Sequence, residues 1–327
     1  MTRPGPTLVE PSQLNHGLVI AGHGRHVWVE TPDGRKVICH PRGKKSQTVV
    51  GDRVLWQSTQ DEGTIEKVLP RKNLLYRQDE IRTKSFASNL DQVVILLGAE
   101  PEFSESQLAR ALIAAEAEKI RPIIVLNKRD LAPLFERAWL RLAPYRAMGY
   151  TVLATAFNPR TSDYGSETDM GEKPEPTDNA QLASALEGKI NLILGPSGAG
   201  KSTLINRWVP DAQVLTQEIS SALNSGKHTT TSTTLYWMDA GKTTALIDSP
   251  GFQEFGLNHI GPMQLAQLMP DISAHATDCK FYNCSHLHEP GCGVISTVQA
   301  TTGPAEISAS RYKIYSDLFA ELSQTRY

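Results

Sequence analysis

Residues 195–203 read Gly-Pro-Ser-Gly-Ala-Gly-Lys-Ser-Thr and fit the pattern G-x-x-x-x-G-K-[ST]. The spacing is a phosphate cradle. Gly195, Gly198 and Gly200, interleaved with Pro196, Ser197 and Ala199, let backbone N–H groups turn inward around phosphate oxygens. A helix that starts at the end of the loop adds its positive pole. Lys201 then reaches the β- and γ-phosphates, the Ser202 hydroxyl ligates Mg2+, and Thr203 completes the motif. The context fits, because the apolar strand "NLIL" precedes the loop and the helix-like "KSTLINRW" follows it.

A second set of residues reads a base. Asn127-Lys128-Arg129-Asp130 closes the apolar run "IIVL" and matches N-K-x-D. The Asp130 carboxylate is suited to accept both N1–H and N2–H of guanine, while adenine, lacking that donor pair, would leave a desolvated carboxylate unpaired. Asn127 is expected on the other side of the base and the Lys128 stem over its face. A solvated turn at a strand end is the bland alternative. Thr155-Ala156, after "TVLA", is a weak match to the Ser-Ala loop that touches guanine O6 through backbone.

"DSPG" (248–251) follows the strand "TALI". There Asp248 is placed to hold Mg2+ through water, and the Gly251 N–H to sense a γ-phosphate. Between this motif and the phosphate loop lies "GKHTTT" (226–231), whose threonines offer a further hydroxyl to Mg2+ without the sequence saying which. Phe252 follows "DSPG" where a water-orienting Gln is often found nearby, so unaided hydrolysis is expected to be slow.

Cys279, Cys284 and Cys292 crowd one segment, "CKFYNCSHLHEPGC", together with His286 and His288. Three thiolates and one imidazole suit a closed, tetrahedral, structural Zn2+ site. Crowding of this kind in a chain without a secretory signal points to metal rather than disulfides. Glu289 reads as a supporting or surface residue. Cys39, alone in an apparent strand, reads as a small core residue.

These residues need a frame. Residues from about 18 to 85 alternate short strands and turn signals, with "HVWVE" and "KVICH" flanking "TPDGR" as a hairpin. Such a run suggests a small barrel or sandwich. Lys36, Arg42, Lys44, Lys45, Arg53, Lys67, Arg71 and Lys72 decorate it, with Trp28 and Trp56 among them. An OB-type barrel that binds nucleic acid and a barrel whose tryptophans are core both fit this pattern. Beyond residue 90 the rhythm becomes strand, helix, strand, helix, as expected of a parallel sheet covered on both faces. In "SESQLARALIAAEAEKI", Leu108, Ala111, Leu112 and Ala115 share one helix face. "LYWMDAGKTTALIDSPG" reads as a hairpin around Gly241, residues 158–179 as a polar, mobile insertion, and Arg311 to Leu322 as a packed terminal helix.

The net charge of −2 conceals a basic start: residues 1–90 hold 14 Lys/Arg against 9 Asp/Glu, and residues 252–327 hold 4 against 7. A polyanionic partner or an ordinary solvated surface would each account for the basic excess. The start has no apolar signal core, and the longest apolar runs are strand-length, so a cytoplasmic protein without membrane segments is expected.

The base-reading loop here precedes the phosphate loop, the reverse of the usual order. The order N-K-x-D, Ser-Ala-like loop, phosphate loop, H-T-T-T, D-x-P-G resembles a circularly permuted GTPase. With a barrel before it and C-x4-C-x-H-x5-C after it, the chain resembles the RsgA (YjeQ/EngC) family of GTPases dependent on the small ribosomal subunit. The resemblance implies three units: an OB-type RNA-binding barrel (1–85), a circularly permuted P-loop GTPase domain (86–254) and a zinc-binding domain with a terminal helix (255–327). It selects His286 over His288 as the fourth Zn2+ ligand and His228 as the catalytic group, a polar switch histidine without catalytic duty being the alternative. It implies a monomeric late assembly factor that binds the small (30S) subunit and 16S rRNA in its GTP form, hydrolyses GTP to GDP when the subunit stimulates it, and helps release ribosome-binding factor A. Lys227 and Thr155 depart from the family's usual Arg and Ser without removing a ligand. Two other functions fit parts of the chain: a GTP-dependent RNA-binding switch with negligible turnover, and a P-loop ATPase or kinase, which "NKRD" opposes.

Overall fold

The computed structural model describes residues 14–23, 26–42, 48–59, 62–157, 177–210, 212, 233–249, 255–299 and 306–324. Five short strands come first: β1 (Asn15–His23), β2 (His26–Glu30), β3 (Lys36–Pro41), β4 (Arg53–Ser58) and β5 (Gly63–Val68). They pair in the order β1-β2-β3-β5-β4, with β3 parallel to β5, and β4 returns to β1 to close the barrel. Alternation sends Val19, Val27, Val29, Cys39, Val54, Trp56 and Ile65 inward as its core. Trp56 is buried in this core and Trp28 packs against the main core, so the tryptophans serve packing here. Several basic residues of the segment are spent internally: Arg42 pairs with Glu66, Lys72 with Asp91, and Arg71 with the fully buried Asp52.

A hairpin follows, β6 (Leu74–Gln78) with β7 (Thr83–Ser88), a separate two-stranded sheet outside the barrel. The buried Asp52 fastens it to the barrel, accepting from Arg71 Nε (2.7 Å) and Nη2 (2.8 Å) and from Ser88 Oγ (2.6 Å). Removing one partner of such a buried pair costs about 3–5 kcal/mol.

The central unit alternates as the sequence reading expects: β8 (Gln92–Gly98), α1 (Glu105–Ala117), β9 (Arg121–Asn127), α2 (Ala132–Arg141), α3 (Ala143–Ala147), β10 (Thr151–Ala154), α4 (Thr177–Leu186), β11 (Ile190–Leu194), α5 (Lys201–Trp208), β12 (Thr234–Trp237) and β13 (Ala245–Asp248). The strands lie in the order β10-β9-β8-β11-β13-β12, parallel except for β12. Along β8 the side chains alternate between two cores. Val93, Ile95 and Leu97 face α1, whereas Val94 and Leu96 join Leu182 of α4 and Leu204 and Ile205 of α5. Two-sided burial explains why β8 is apolar without a break. Of residues 158–179, read from composition as an insertion, 158–176 lie outside the described residues, whereas Thr177 begins α4, which Leu182 and Leu186 anchor against the sheet.

After Gly251 the chain is described again from Phe255 and pairs at once with the hairpin. Gln78 N donates to Gly256 O (3.0 Å), Asn258 N donates to Gln78 O (3.0 Å), and Phe255 stacks on Phe86 at 5.5 Å. A 3-10 helix (Pro262–Leu268), α6 (Pro270–Ala276), α7 (Gly293–Val298) and α8 (Ala309–Leu322) complete the fold. α8 packs through Ile314, Tyr315 and Leu318, as its stripe predicts, and reaches the central unit through charge. Arg110 of α1 forms a bidentate pair with Glu321, and Arg311, paired in the interior with Asp271, lies 5.2 Å over the Tyr145 ring of α3. No helix of the described residues is long and apolar enough to cross a membrane.

Candidate active site and metal centre

The phosphate-loop sequence leaves the C-terminal end of β11, between β8 and β13, and runs into α5. Crowding dictates its glycines. A Cβ on Gly195 would stand 2.2 Å from the Leu96 carbonyl oxygen of β8. Gly200 has φ +107° and a Cβ there would stand 2.4 Å from Asn127 Nδ2. Ala199 is buried, Pro196 is half-buried, and Ser197, Ser202 and Thr203 are exposed at the loop and the first turn of α5. Lys201 folds back over the loop, its Nζ donating to the carbonyls of Gly195 (2.7 Å) and Pro196 (2.9 Å). Burial lowers its pKa, and the charge of Asp248 opposes that shift.

Asp248 ends β13 alongside. Burial raises its carboxyl to about 6, against the pull of Lys201 and of the Ser249 backbone N–H. A half-buried carboxylate with one ammonium nearby and the Ser202 hydroxyl at the start of α5 is a donor set that a hard divalent cation fits.

Asn127 draws the loops together. From the end of β9 its Nδ2 donates to Ala199 O (3.0 Å), and its Oδ1 accepts from Phe157 N (3.2 Å) and Thr155 Oγ1 (3.3 Å). Most of its capacity is therefore spent tying three loops, a duty that the N-K-x-D pattern alone does not reveal. Thr155 and Ala156 are buried beside it, and Arg129 N donates to Thr155 O (3.1 Å). Lys128, at φ +70°, donates through Nζ to Glu100 O in the loop after β8, and Asp130 stands half-buried at the turn. The 98–103 loop was missed as part of the site; its signal is a Gly-Ala-Glu-Pro run that ends a fully buried strand lying between the two motif strands. Gly251, Phe252, Lys227, His228 and the neighbouring threonines lie outside the described residues.

The metal cluster is assembled. The ligand atoms of Cys279, Cys284, His286 and Cys292 all lie within 4.8 Å of one another. Cys279 Sγ and Cys292 Sγ are 3.7 Å apart, and His286 Nδ1 lies 3.3 Å and 3.5 Å from them. Tetrahedral ligation with bonds of about 2.0–2.3 Å needs edges of roughly 3.5–3.8 Å, so the spacing fits. Burial pushes the Cys284 thiol up to about 12, so a cation is what would hold it as thiolate. His288 is exposed and stands outside the cluster. Glu289 organises the loop, accepting from Ser285 N (2.7 Å), Ser285 Oγ (2.6 Å) and Leu287 N (3.2 Å). Tyr312 and Tyr315 of α8 donate their hydroxyls to the carbonyls of His286 and Ser285, each at 2.8 Å.

Residues 68–258 match the family model of the RsgA GTPase. The chain belongs to the RsgA GTPase family. It is accordingly a GTP-hydrolysing enzyme. The protein from Variovorax paradoxus called small ribosomal subunit biogenesis GTPase RsgA is 66% identical over all of both chains, and its namesake from Burkholderia pseudomallei is 47% identical over 98% of this chain and 97% of its own. Among solved structures, YloQ, described as a circularly permuted GTPase, matches 98% of this chain and 100% of its own at 25% identity and a TM-score of 0.66. YjeQ from Thermotoga maritima matches 96% and 100% at 29% identity and 0.67. The reversed motif order is thus a circular permutation that leaves the parallel sheet and its loops in place.

Proposed function

We propose that this enzyme binds GTP in the loops gathered by Asn127 and acts in biogenesis of the small ribosomal subunit. The observation that carries the nucleotide assignment is the Asn127 tie, which seats a guanine-type loop on a phosphate loop. Phosphates lie on residues 195–203 with Lys201 exchanging its loop carbonyls for phosphate oxygens. Guanine lies between the Lys128 stem and the 155–156 backbone, with Asp130 on its N1 and N2 edge. Mg2+, when bound, neutralises phosphate charge, and Ser202 and Asp248 hold it. Gly251 senses the γ-phosphate, and His228 orients the attacking water when the partner is bound. Zn2+ in the Cys279–Cys284–His286–Cys292 cluster is structural, because four protein ligands leave no open position.

The role in the cell follows the name that its relatives carry. The protein is read as a cytoplasmic monomer that binds the 30S subunit and 16S rRNA in its GTP form, with contacts led by phosphate charge. Hydrolysis is slow alone, stimulated by the subunit, and linked to release of ribosome-binding factor A. The three proposed units are 1–85, 86–254 and 255–327. Because the segment after Gly251 pairs with β6 before it reaches the metal domain, a change at that loop would be felt on the barrel side as well.

The test is GTP and ATP turnover with and without purified small subunits, for the wild type and His228→Ala. Slow GTP turnover raised sharply by the subunit, little ATP turnover, and loss of stimulation in the variant are expected. A wild type indifferent to the subunit would overturn the assignment of partner.

A further inference from the structure

A cavity of about 520 Å3 opens at the seam between the barrel and the β12–β13 hairpin, lined by residues other than those of the nucleotide loops and the metal cluster. Leu18 of β1 and Leu69, just after β5, face Ile190 of β11 and Leu235 and Trp237 of β12 across it. Ligand sites favour such interfaces between units, and the volume suits a molecule the size of a mononucleotide.

Three features define what fits. First, the Trp237 indole is held in place: its Nε1 donates to Glu30 Oε2 (2.7 Å), Glu30 is only 8% exposed, and Lys242 Nζ holds its other oxygen (3.0 Å). A fixed aromatic ring in an aliphatic wall is a stacking surface. Second, several polar side chains of the wall already have partners, the exposed His16 ring standing apart from them. Thr31 Oγ1 donates to Arg35 O (3.0 Å), Asn89 Nδ2 donates to Gly51 O (2.8 Å), and Asn89 Oδ1 accepts from Lys72 N (2.8 Å). Apart from His16, little is left to read a ligand's edge. Third, Arg53 stands exposed at the rim and makes no ion pair among the described residues. A planar ring system carrying an anion, recognised by stacking and charge rather than by its hydrogen-bonding edge, meets all three.

We propose that the seam cavity is a second nucleotide-unit site, taking a nucleobase against Trp237 and the aliphatic wall and its phosphate on Arg53. It is distinct from the GTP loops and does not rest on the ribosomal reading. A free mononucleotide and a nucleotide within a single-stranded RNA share this chemistry, and binding measurements separate them.

The experiment uses the full-length, metal-loaded protein with saturating GDP, so that the GTP loops are filled. A fluorescein-labelled ten-nucleotide oligouridylate is titrated by fluorescence anisotropy and challenged with unlabelled UMP. Leu69→Trp, which fills the cavity, is expected to weaken oligouridylate binding about tenfold, the scale of one lost stacked base. Arg53→Gln is expected to weaken it about threefold and to lower the salt slope by about one. Melting temperature and GDP affinity stay at the wild-type values in both. Displacement by millimolar UMP identifies the free nucleotide as sufficient, whereas tight oligouridylate binding that UMP does not displace identifies a strand-borne nucleotide. A wild type that binds neither probe overturns the site, as do folded variants that bind oligouridylate as tightly as the wild type. Subunit-stimulated GTP turnover reports on the ribosomal reading separately.

Discussion

The metal knuckle and the nucleotide loops are both built from short motifs, yet their polar atoms are deployed in opposite ways. In the knuckle the ligand atoms of three cysteines and His286 converge inward, and the backbone behind them is secured by Glu289 and by the Tyr312 and Tyr315 hydroxyls. In the nucleotide loops only the frame is secured, by Asn127. Lys201 rests on its own loop's carbonyls, Ser202 is exposed and Asp130 is half-buried. A permanent ligand permits every donor to be committed. An exchanging ligand requires donors that can swap partners at small net cost, and a lysine moving from carbonyl to phosphate oxygens does so with a gain in charge.

This contrast predicts that the two sites fail differently. Metal removal with a chelator, or Cys292→Ala, should have the largest effect on stability. Cys292 is 1% exposed, and without the metal its neighbours are crowded thiols with no common partner. A loss of at least ~3 kcal/mol and a separate, lower-temperature transition are expected in scanning calorimetry, with metal content measured in parallel. GDP affinity should stay within about threefold of wild type, a difference of less than ~1 kcal/mol, since the metal unit docks on α1 and α3 through Arg110 and Arg311 rather than on the loops. Loss of GDP binding on chelation would break the comparison.

The reciprocal change is Gly200→Ala. Its methyl would meet Asn127 Nδ2 in a backbone region that alanine rarely adopts. Displacing Asn127 would strand the Phe157 N–H and the Ala199 carbonyl together, at roughly 2–6 kcal/mol for the pair. GDP and GTP affinities are expected to fall about a hundredfold by calorimetric titration. Metal content should be unchanged. A variant with wild-type affinity would show that the Asn127 tie does not shape the site.

How far the sequence carried this reading depends on the range of the interaction. Residues 92–98 and 121–127 announce buried strands because both faces are covered, and the phosphate loop and Cys/His spacing are local patterns set by local geometry. The small barrel was legible as a class, but its closure by β1 with β4 and its parallel β3–β5 pair were not, since alternation fixes which face a residue takes and not which strand it joins. The pairing of Gln78 with residues 256–258 joins segments far apart in the chain and follows no periodicity. The residue type of Asn127 suits a ligand role. Its structural duty depends on Ala199 and Phe157, which approach only once β9 and β11 share a sheet with β8 between them. Arg311 illustrates the same limit: its place in an apolar stripe reads as packing, and its pairing with Asp271 under the Tyr145 ring needs three separate elements.

The smallest expected effect tests whether the nucleotide frame carries a built-in cost for waiting. Burial raises the Asp248 carboxyl to about 6, above the ordinary 3.8 that it regains on unfolding. Between those values the folded state binds more protons than the unfolded state, so stability declines as pH rises through the window and stays reduced above it. The shift corresponds to a penalty on the order of 3 kcal/mol at neutral pH, present only while no cation sits beside the carboxylate. Asp248→Asn cannot ionise. Without Mg2+ and nucleotide it should be more stable than wild type at pH 7.5, with the advantage shrinking as the pH is lowered towards 4. Urea unfolding followed by circular dichroism at several pH values measures this directly. Added Mg2+ and GDP should reverse the ranking, because only the aspartate can use the cation. Equal stability at pH 7.5 would mean that Lys201 already neutralises Asp248, and that the nucleotide frame is as fully committed before ligand arrives as the metal knuckle is after it.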